Sequence, residues 1–328
     1  MKIYHDADVD LNVLKGKKIA VLGYGSQGRA QALCFRDSGL DVTIGVRKNG
    51  KSWEKAKEDG FKVADFADAV KGADVVMMLL PDEVQPKVYK DFVEPNIKKG
   101  AALEFAHGFA ITYKTIVPPK DVDVIMMAPK SPGDKERDVF VEGFGVPALV
   151  CVHQDYSGNA KKIALALAKG LGATRAGVFE TTFDNETLTD LFGEQAVLCG
   201  GITALINAGF ETLVKGGYPP EMAYFEVCHE TKLIVDLIND GGFEKMWHVV
   251  SNTAEYGGLT MRDYVITDES KKGMRKILDD IESGAFKNRW TAEWANDLKN
   301  LKAMEEKEKN LELEKVGREI RKLFERKN

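Results

Sequence analysis

Asp190 and Glu194 stand four residues apart in "TDLFGEQAVLCGGITALINAGFETL", and Glu226 and Glu230 repeat that spacing in "YFEVCHE". On an α-helix, residues four apart share a face, so each pair converges on one point. Like charges at that spacing cost helix stability unless a cation or solvent compensates them. The surrounding residues are small and apolar, and no lysine or arginine is interleaved at either pair. That pattern predicts burial, and a buried carboxylate needs a partner. A divalent cation is the natural one. Ligation by carboxylate oxygens and water suits Mg2+ better than zinc, and four carboxylates could hold two ions. The competing reading is four solvated acids on exposed helix faces. His229 faces a different direction from Glu230 on a helix and reads as a packing or hydrogen-bonding residue.

A second motif precedes these helices. "IAVLGYGSQGRAQA" places Gly23-x-Gly25-x-x-Gly28 directly after a strand and at a helix start. Gly23 permits the tight turn, Gly25 lets the backbone approach a pyrophosphate, and Gly28 lets helix and strand pack closely. The helix N-terminus offers free N–H groups and a positive dipole end to phosphates. The loop residues Tyr24, Ser26 and Gln27 complete the candidate cofactor site. An NAD site has an acidic residue about 20 positions further on, at the end of the second strand. Here "DVTIGVR" ends in Arg47, followed by Lys48, Lys51 and Ser52. A guanidinium and a hydroxyl suit a 2′-phosphate, so the expected cofactor is NADPH. The alternatives are a structural glycine turn and a solvated basic loop.

The elements that position these groups fall into two halves. "KKIAVLGYG", "DVTIGVR", "DVVMMLLPD", "AALEFAHGF", "DVIMMAPK" and "PALVCVHQD" are short apolar runs separated by amphipathic stretches. Such runs are expected in a sheet covered on both faces, and their alternation with helices predicts a doubly wound, mainly parallel sheet. From residue 183 the pattern becomes helical. The expected organisation is α/β: a Rossmann-type NADPH-binding domain over 1–182 and an all-helical domain over 183–328. The tail from Ala303 is dense in both charge signs, with apolar residues at helical spacing, and predicts a solvated helix packed on one face.

Composition narrows the function. The 328 residues carry a net charge of -5, which argues against a nucleic-acid binder. Four scattered cysteines without a CxxC pair disfavour a disulfide framework or structural zinc and fit a reducing cytosol. No run reaches about 18 consecutive apolar residues and the N-terminus lacks a signal-peptide core, so no membrane span is expected.

"GYGSQGRAQA", "FAHGF", "APKSPG", "ETLTDLFGEQAVLCGG", "YFEVCHETKLIVDLI" and "SNTAEYG" occur in an order that resembles the ketol-acid reductoisomerase family, in its short-chain class, along essentially the whole chain. The resemblance implies conversion of 2-acetolactate or 2-aceto-2-hydroxybutyrate to a dihydroxy acid by Mg2+-dependent alkyl migration and NADPH reduction, in valine, isoleucine and leucine biosynthesis. It implies that Asp190 and Glu194 bind two Mg2+ per site, with Asp190 bridging them. Glu226 and Glu230 would be further acidic residues of that site, and Ser251 would hydrogen-bond the substrate carboxylate. His107 and Lys130 match polar residues at the Rossmann-side mouth, and Gly133 matches the cofactor-side "SPG". It also implies a knotted helical domain, a cytoplasmic homodimer with shared active sites, and the two carboxylate pairs coming from different subunits. The chain departs from the family pattern at Ala110, where asparagine is usual, at Leu188, and in the Asp134–Arg137 loop.

The chemistry asks for deprotonation of a tertiary alcohol beside a polarised ketone, which two Mg2+ ions can assist. Glu230 or a metal-bound hydroxide are both candidate bases. Another class, a hydroxyacid dehydrogenase with a helical second domain, relies on a catalytic lysine and leaves the paired carboxylates unexplained. A non-catalytic NADPH-binding protein would bind cofactor without turnover.

Overall fold

The computed structural model describes residues 2–324. The chain divides into two compact units, Met1–Thr189 and Asp190–Asn328. Among the described residues of the first, nine strands form one sheet. They are β1 (Ile3–Tyr4), β2 (Lys18–Leu22), β3 (Asp41–Gly45), β4 (Lys62–Ala64), β5 (Val75–Met78), β6 (Ala102–Phe105), β7 (Asp123–Pro129), β8 (Ala148–Gln154) and β9 (Val178–Glu180). The order is β1-β9-β8-β7-β6-β5-β2-β3-β4. From β4 to β7 every neighbouring pair is parallel. β8 runs antiparallel to β7, and β1 antiparallel to β9. The six apolar runs seen in the sequence are β2, β3, β5, β6, β7 and β8. The other three strands are too short for a period to register.

Successive strand side chains point to opposite faces, and here both faces are covered. Ile19, Val21, Val75, Met77, Ile125 and Met127 pack on one side with the helices Ser26–Asp37 and Ala160–Gly170. Ala20, Leu22, Val76, Met78, Val124 and Met126 pack on the other with the short helices Phe66–Val70 and Phe109–Thr112. That two-sided burial explains why the strands lack polar alternation. β2 lies between β3 and β5, so the chain leaves it toward one edge and later returns on its other side. The loop after β2 is therefore at the topological switch point, where such sheets bind ligands.

The second unit is helical among its described residues, with a small core of Phe210, Ala223, Tyr224, Leu313 and Ile320. Its last helix, Glu312–Phe324, turns Leu313 and Ile320 inward and sets Gly317 against Tyr224, where a Cβ would come within 2.5 Å of the ring. The charged tail thus packs on one face.

Two expectations change. The small apolar residues around the carboxylates predict burial, yet Val197, Leu198 and Leu205 are exposed. The helical stretch Phe183–Lys215 is long and apolar enough, by length and composition, to cross a membrane, with 6% of its apolar window buried. A helix apolar around its circumference offers more surface than this small core can cover. The carboxylate helices are also not regular. Glu194–Leu198 and Phe225–His229 are π turns. A π turn widens the spacing, so Glu226 and Glu230 no longer stack as on an α-helix, whereas Asp190 precedes the turn that begins at Glu194. Glu194, Glu226 and Glu230 are exposed in the chain rather than buried.

Candidate active site

β2 delivers Gly23 into a left-handed turn at φ 103°, where a Cβ would lie 2.2 Å from the Leu79 carbonyl oxygen. A Cβ on Gly28 would lie 2.5 Å from the Gly23 carbonyl oxygen, whereas Gly25 faces open space. Gly25 caps the helix Ser26–Asp37, whose first turn holds no acid. Its amides are thus available to an anion, with the dipole's positive end behind them.

Two side chains of this loop turn away from that space. Tyr24 is buried, and its hydroxyl donates to Asp59 at 2.8 Å. Arg29 grips the same carboxylate at 2.7 and 3.1 Å. The Arg29 hydrogen bond holds Asp59 down to about 2, while burial, then Asp59, pushes the Tyr24 phenol well above its ordinary range. Gln27 donates to the Ser131 carbonyl at 2.8 Å. Gly133 sits so close to Ser26 that a Cβ would come within 2.5 Å of its carbonyl. Tyr24 and Gln27 thus brace the loop, and its backbone is left to meet a cofactor.

Beyond β3, Arg47 and Lys48 are exposed, Asn49 takes φ 60°, and Gly50 caps the helix Lys51–Glu58 with half-buried Ser52 in its first turn. No carboxylate lies between Val46 and Trp53. Cations, a hydroxyl and a helix N-terminus lie on one short segment, a combination suited to a phosphate.

His107 follows β6 and Lys130 follows β7, at the same carboxyl-end rim as the glycine loop. Both meet Glu186, which sequence reasoning did not single out. The Glu186 carboxylate accepts from the Gly108 N–H at 3.0 Å and from Lys130 at 2.9 Å, and His107 Nδ1 lies 3.0 Å away. An ionised carboxylate only accepts, so Nδ1 carries the proton in this pair. Gly108 is what admits the helix: a Cβ there would meet Thr187 Oγ1 at 2.3 Å. Burial alone would raise the Glu186 carboxyl, but the hydrogen bond and charge of His107, joined by Lys130, bring it below its ordinary value. The signal in the sequence was a third acid in register, since Glu186, Asp190 and Glu194 are each four apart.

Asp190 is one turn beyond Glu186 on the unbroken helix Phe183–Gly193. One potential ligand atom from each of His107, Glu186 and Asp190 lies within 4.8 Å of the others. In the helical unit, Ser251 caps the helix Asn252–Val265 by accepting from the Ala254 N–H at 3.2 Å, leaving its own proton to donate. His229 packs its ring on Phe225 and Phe324, at 5.6 and 5.8 Å.

At the positions that depart from the family pattern, Ala110 is buried in the core. Asp134–Arg137 is not a loop but part of the helix Gly133–Val141, because Arg137 pairs with Asp37 and Glu136 is buried. Burial pushes the Glu136 carboxyl up to about 8.

Two family models match: the acetohydroxy acid isomeroreductase NADPH-binding domain over 13–177 and the ketol-acid reductoisomerase C-terminal domain over 183–326. The chain belongs to the ketol-acid reductoisomerase family. Ketol-acid reductoisomerases (NADP(+)) of Methanococcus maripaludis and Methanocaldococcus jannaschii are each 55% identical to it over 323 residues, covering 98% of both chains. A solved NADH-preferring ketol-acid reductoisomerase from an uncultured archaeon matches with TM-score 0.97 and 53% identity, covering 99% of this chain and 100% of that one. A putative oxidoreductase of Jannaschia, 15% identical with TM-score 0.61 over 81% of this chain and 97% of its own, shares the fold alone. As a ketol-acid reductoisomerase family member, the protein is an oxidoreductase with an NADP(H)-binding domain.

Proposed function

We propose that the enzyme converts 2-acetolactate and 2-aceto-2-hydroxybutyrate to 2,3-dihydroxy-3-methyl acids with NADPH, in branched-chain amino acid biosynthesis. The observation that carries this reading is the convergence of His107, Lys130 and Asp190 on one buried carboxylate at the sheet's carboxyl-end rim. The alkyl group would move from the carbinol carbon to the neighbouring ketone carbon, and the bound nicotinamide would supply the hydride that, with a proton from solvent, reduces the new ketone to an alcohol.

The donor set fits a hard cation: Asp190 belongs to a three-residue ligand group, and Glu194 follows one turn later. Asp190 and Glu194 would hold two Mg2+, with Glu226 and Glu230 as the remaining acids. When bound, the ions would supply Lewis-acid polarisation of the ketone and ease deprotonation of the tertiary alcohol. Glu230 is suited to take that proton. Glu186 fixes the His107 tautomer and holds the Lys130 ammonium, which favours negative charge developing on a substrate oxygen. Ser251 would donate to the substrate carboxylate. The amides after Gly23, with Gly25, Gly28 and Gly133, would take the pyrophosphate, and Arg47, Lys48, Lys51 and Ser52 the 2′-phosphate. One related solved structure prefers NADH, but the NADPH-binding family model, the relatives named for NADP(+) and this basic segment all support NADPH.

The exposed apolar side chains Val197, Leu198, Leu205, Leu233 and Val235 support a homodimer in which a second copy, not a bilayer, covers the helical unit and completes the site with Glu226 and Glu230. We read that unit as knotted, and the four unpaired cysteines support a cytoplasmic enzyme. The test is NADPH oxidation with 2-acetolactate in Mg2+ and in excess EDTA. Turnover abolished by EDTA is expected. Turnover that survives EDTA would overturn the metal assignment, and NADPH binding without turnover on either acetohydroxy acid would overturn the function.

A further inference from the structure

We infer that Gln27 and Gln31 are positioning residues: a two-amide strut through which the glycine loop sets the segment that carries Lys130. Its link to catalysis rests on the function proposed above; the strut itself rests on geometry. Gln27 and Gln31 are one turn apart on the helix Ser26–Asp37. Gln31 donates from Nε2 to Gln27 Oε1 at 3.0 Å, and Gln27 donates from Nε2 to the Ser131 carbonyl at 2.8 Å.

An amide side chain has one accepting and one donating end, and here both ends of Gln27 are committed. The Gln31 amide donates to the Gln27 oxygen. That leaves the Gln27 nitrogen aimed at Ser131. Gln31 is fully buried and its own Oε1 has no partner. A buried unpaired carbonyl is costly, and an aliphatic residue would avoid the cost. Orienting Gln27 is the role that offsets it.

The connected segment is short and tied at each end. Lys130 donates its N–H to the Pro147 carbonyl at 2.9 Å. Gly133 lies against Ser26, where a Cβ would come within 2.5 Å. Between these two points, Ser131 is tied to Gln27. Lys130, whose ammonium meets Glu186 at 2.9 Å, therefore takes its backbone position from the helix whose N-terminus faces the cofactor phosphates. The expected effect lies on the placement of the Lys130 ammonium beside Glu186, and so on turnover, and not on cofactor affinity.

The test uses Gln27→Met and Gln31→Met, which keep volume and helix propensity, alone and combined in the full chain. Hydrogen–deuterium exchange of the peptide covering 130–134 should accelerate about fivefold in Gln27→Met, the loss of one hydrogen bond. Gln31→Met should act in the same direction but less, with no further effect in the Gln27→Met background. The kcat with 2-acetolactate should fall about tenfold while the NADPH Kd, read by fluorescence titration, stays within about twofold. A weakened NADPH Kd with unchanged exchange at 130–134 would place Gln27 among the cofactor contacts and overturn the strut. Additive effects of the two variants, or a lowered Tm with no change in exchange or kcat, would reduce both to packing residues and overturn it too. If wild type fails to turn over acetohydroxy acids, the function falls, and the exchange experiment still decides the strut.

Discussion

Replacing Glu186 with glutamine keeps the shape of the central side chain and removes its charge. Three donors converge on it: the Gly108 N–H, His107 Nδ1 and the Lys130 ammonium. Glutamine has one accepting oxygen and one donating nitrogen. With the oxygen toward Gly108 and His107, the amide nitrogen confronts the Lys130 ammonium. In the flipped orientation, His107 can change tautomer and accept, but the Gly108 N–H is orphaned. At least one buried donor therefore stays unpaired, at about 1–3 kcal/mol. Breaking a buried ion pair from one side costs about 3–5 kcal/mol. The Lys130 side chain is 36% exposed, however, so water screens that limb and the upper figure is discounted. About 2–3 kcal/mol remains. For a unit of this size, about 2–4 °C per kcal/mol gives a fall in Tm of about 4–12 °C. Calorimetry at pH 7 reads it, on the transition that NADPH moves upward. The sign with pH follows from the folded carboxyl lying below its ordinary value. Its contribution is complete above the unfolded value of about 4.3 and is lost as the pH falls through the folded value. The gap between wild type and Glu186→Gln should therefore narrow as the pH falls below the unfolded value and close once it has passed the lower folded one. A variant within 1 °C of wild type at pH 7, or a gap that persists undiminished in acid, would refute this account of the cluster.

Two further predictions address the cofactor and the metal. Arg47→Asp should weaken NADPH binding by about a hundredfold, the scale of a charge-assisted hydrogen bond plus repulsion, and NADH binding by no more than about threefold; equal losses in paired titrations would count against the 2′-phosphate assignment. Glu194→Gln should lower alkyl migration by more than the ~10–100-fold that changes behind a metal ligand cost, while NADPH fluorescence titration stays near wild type; a variant that isomerises 2-acetolactate normally would remove Glu194 from the ligand set.

Most of the sheet was legible because both of its faces are buried. Ile19, Val21, Met77 and Met127 point to one side and Ala20, Leu22, Met78 and Met126 to the other, so each strand announces itself as an unbroken apolar run. The glycine motif was legible for a similar reason. Gly23 and Gly28 have no room for a Cβ, and the spacing records those collisions. The roles of Tyr24 and Gln27 were not legible. Nothing local to GYGSQG says that one side chain reaches Asp59 and the other Ser131, positions 35 and 104 residues away.

The helical half resisted in a different way. Its carboxylates sit in apolar sequence, and apolar sequence predicts burial only if the chain itself supplies what covers it. Here Glu194, Glu226 and Glu230 remain exposed, as do Val197 and Leu198 beside them. Burial inferred from neighbours presumes a cover, and a single chain is not obliged to supply one. The π turns point the same way. Phe225–His229 breaks the α-helical spacing of Glu226 and Glu230, and Glu194–Leu198 begins at Glu194, the second acid of the other pair. Such turns re-aim side chains and occur often at functional sites. The four-residue period of Glu226 and Glu230 is thus a property of the sequence that the folded helix modifies. Glu186 was overlooked in the opposite direction: it keeps the period, it is buried, and its partners come from the ends of β6 and β7, which no helical pattern could name.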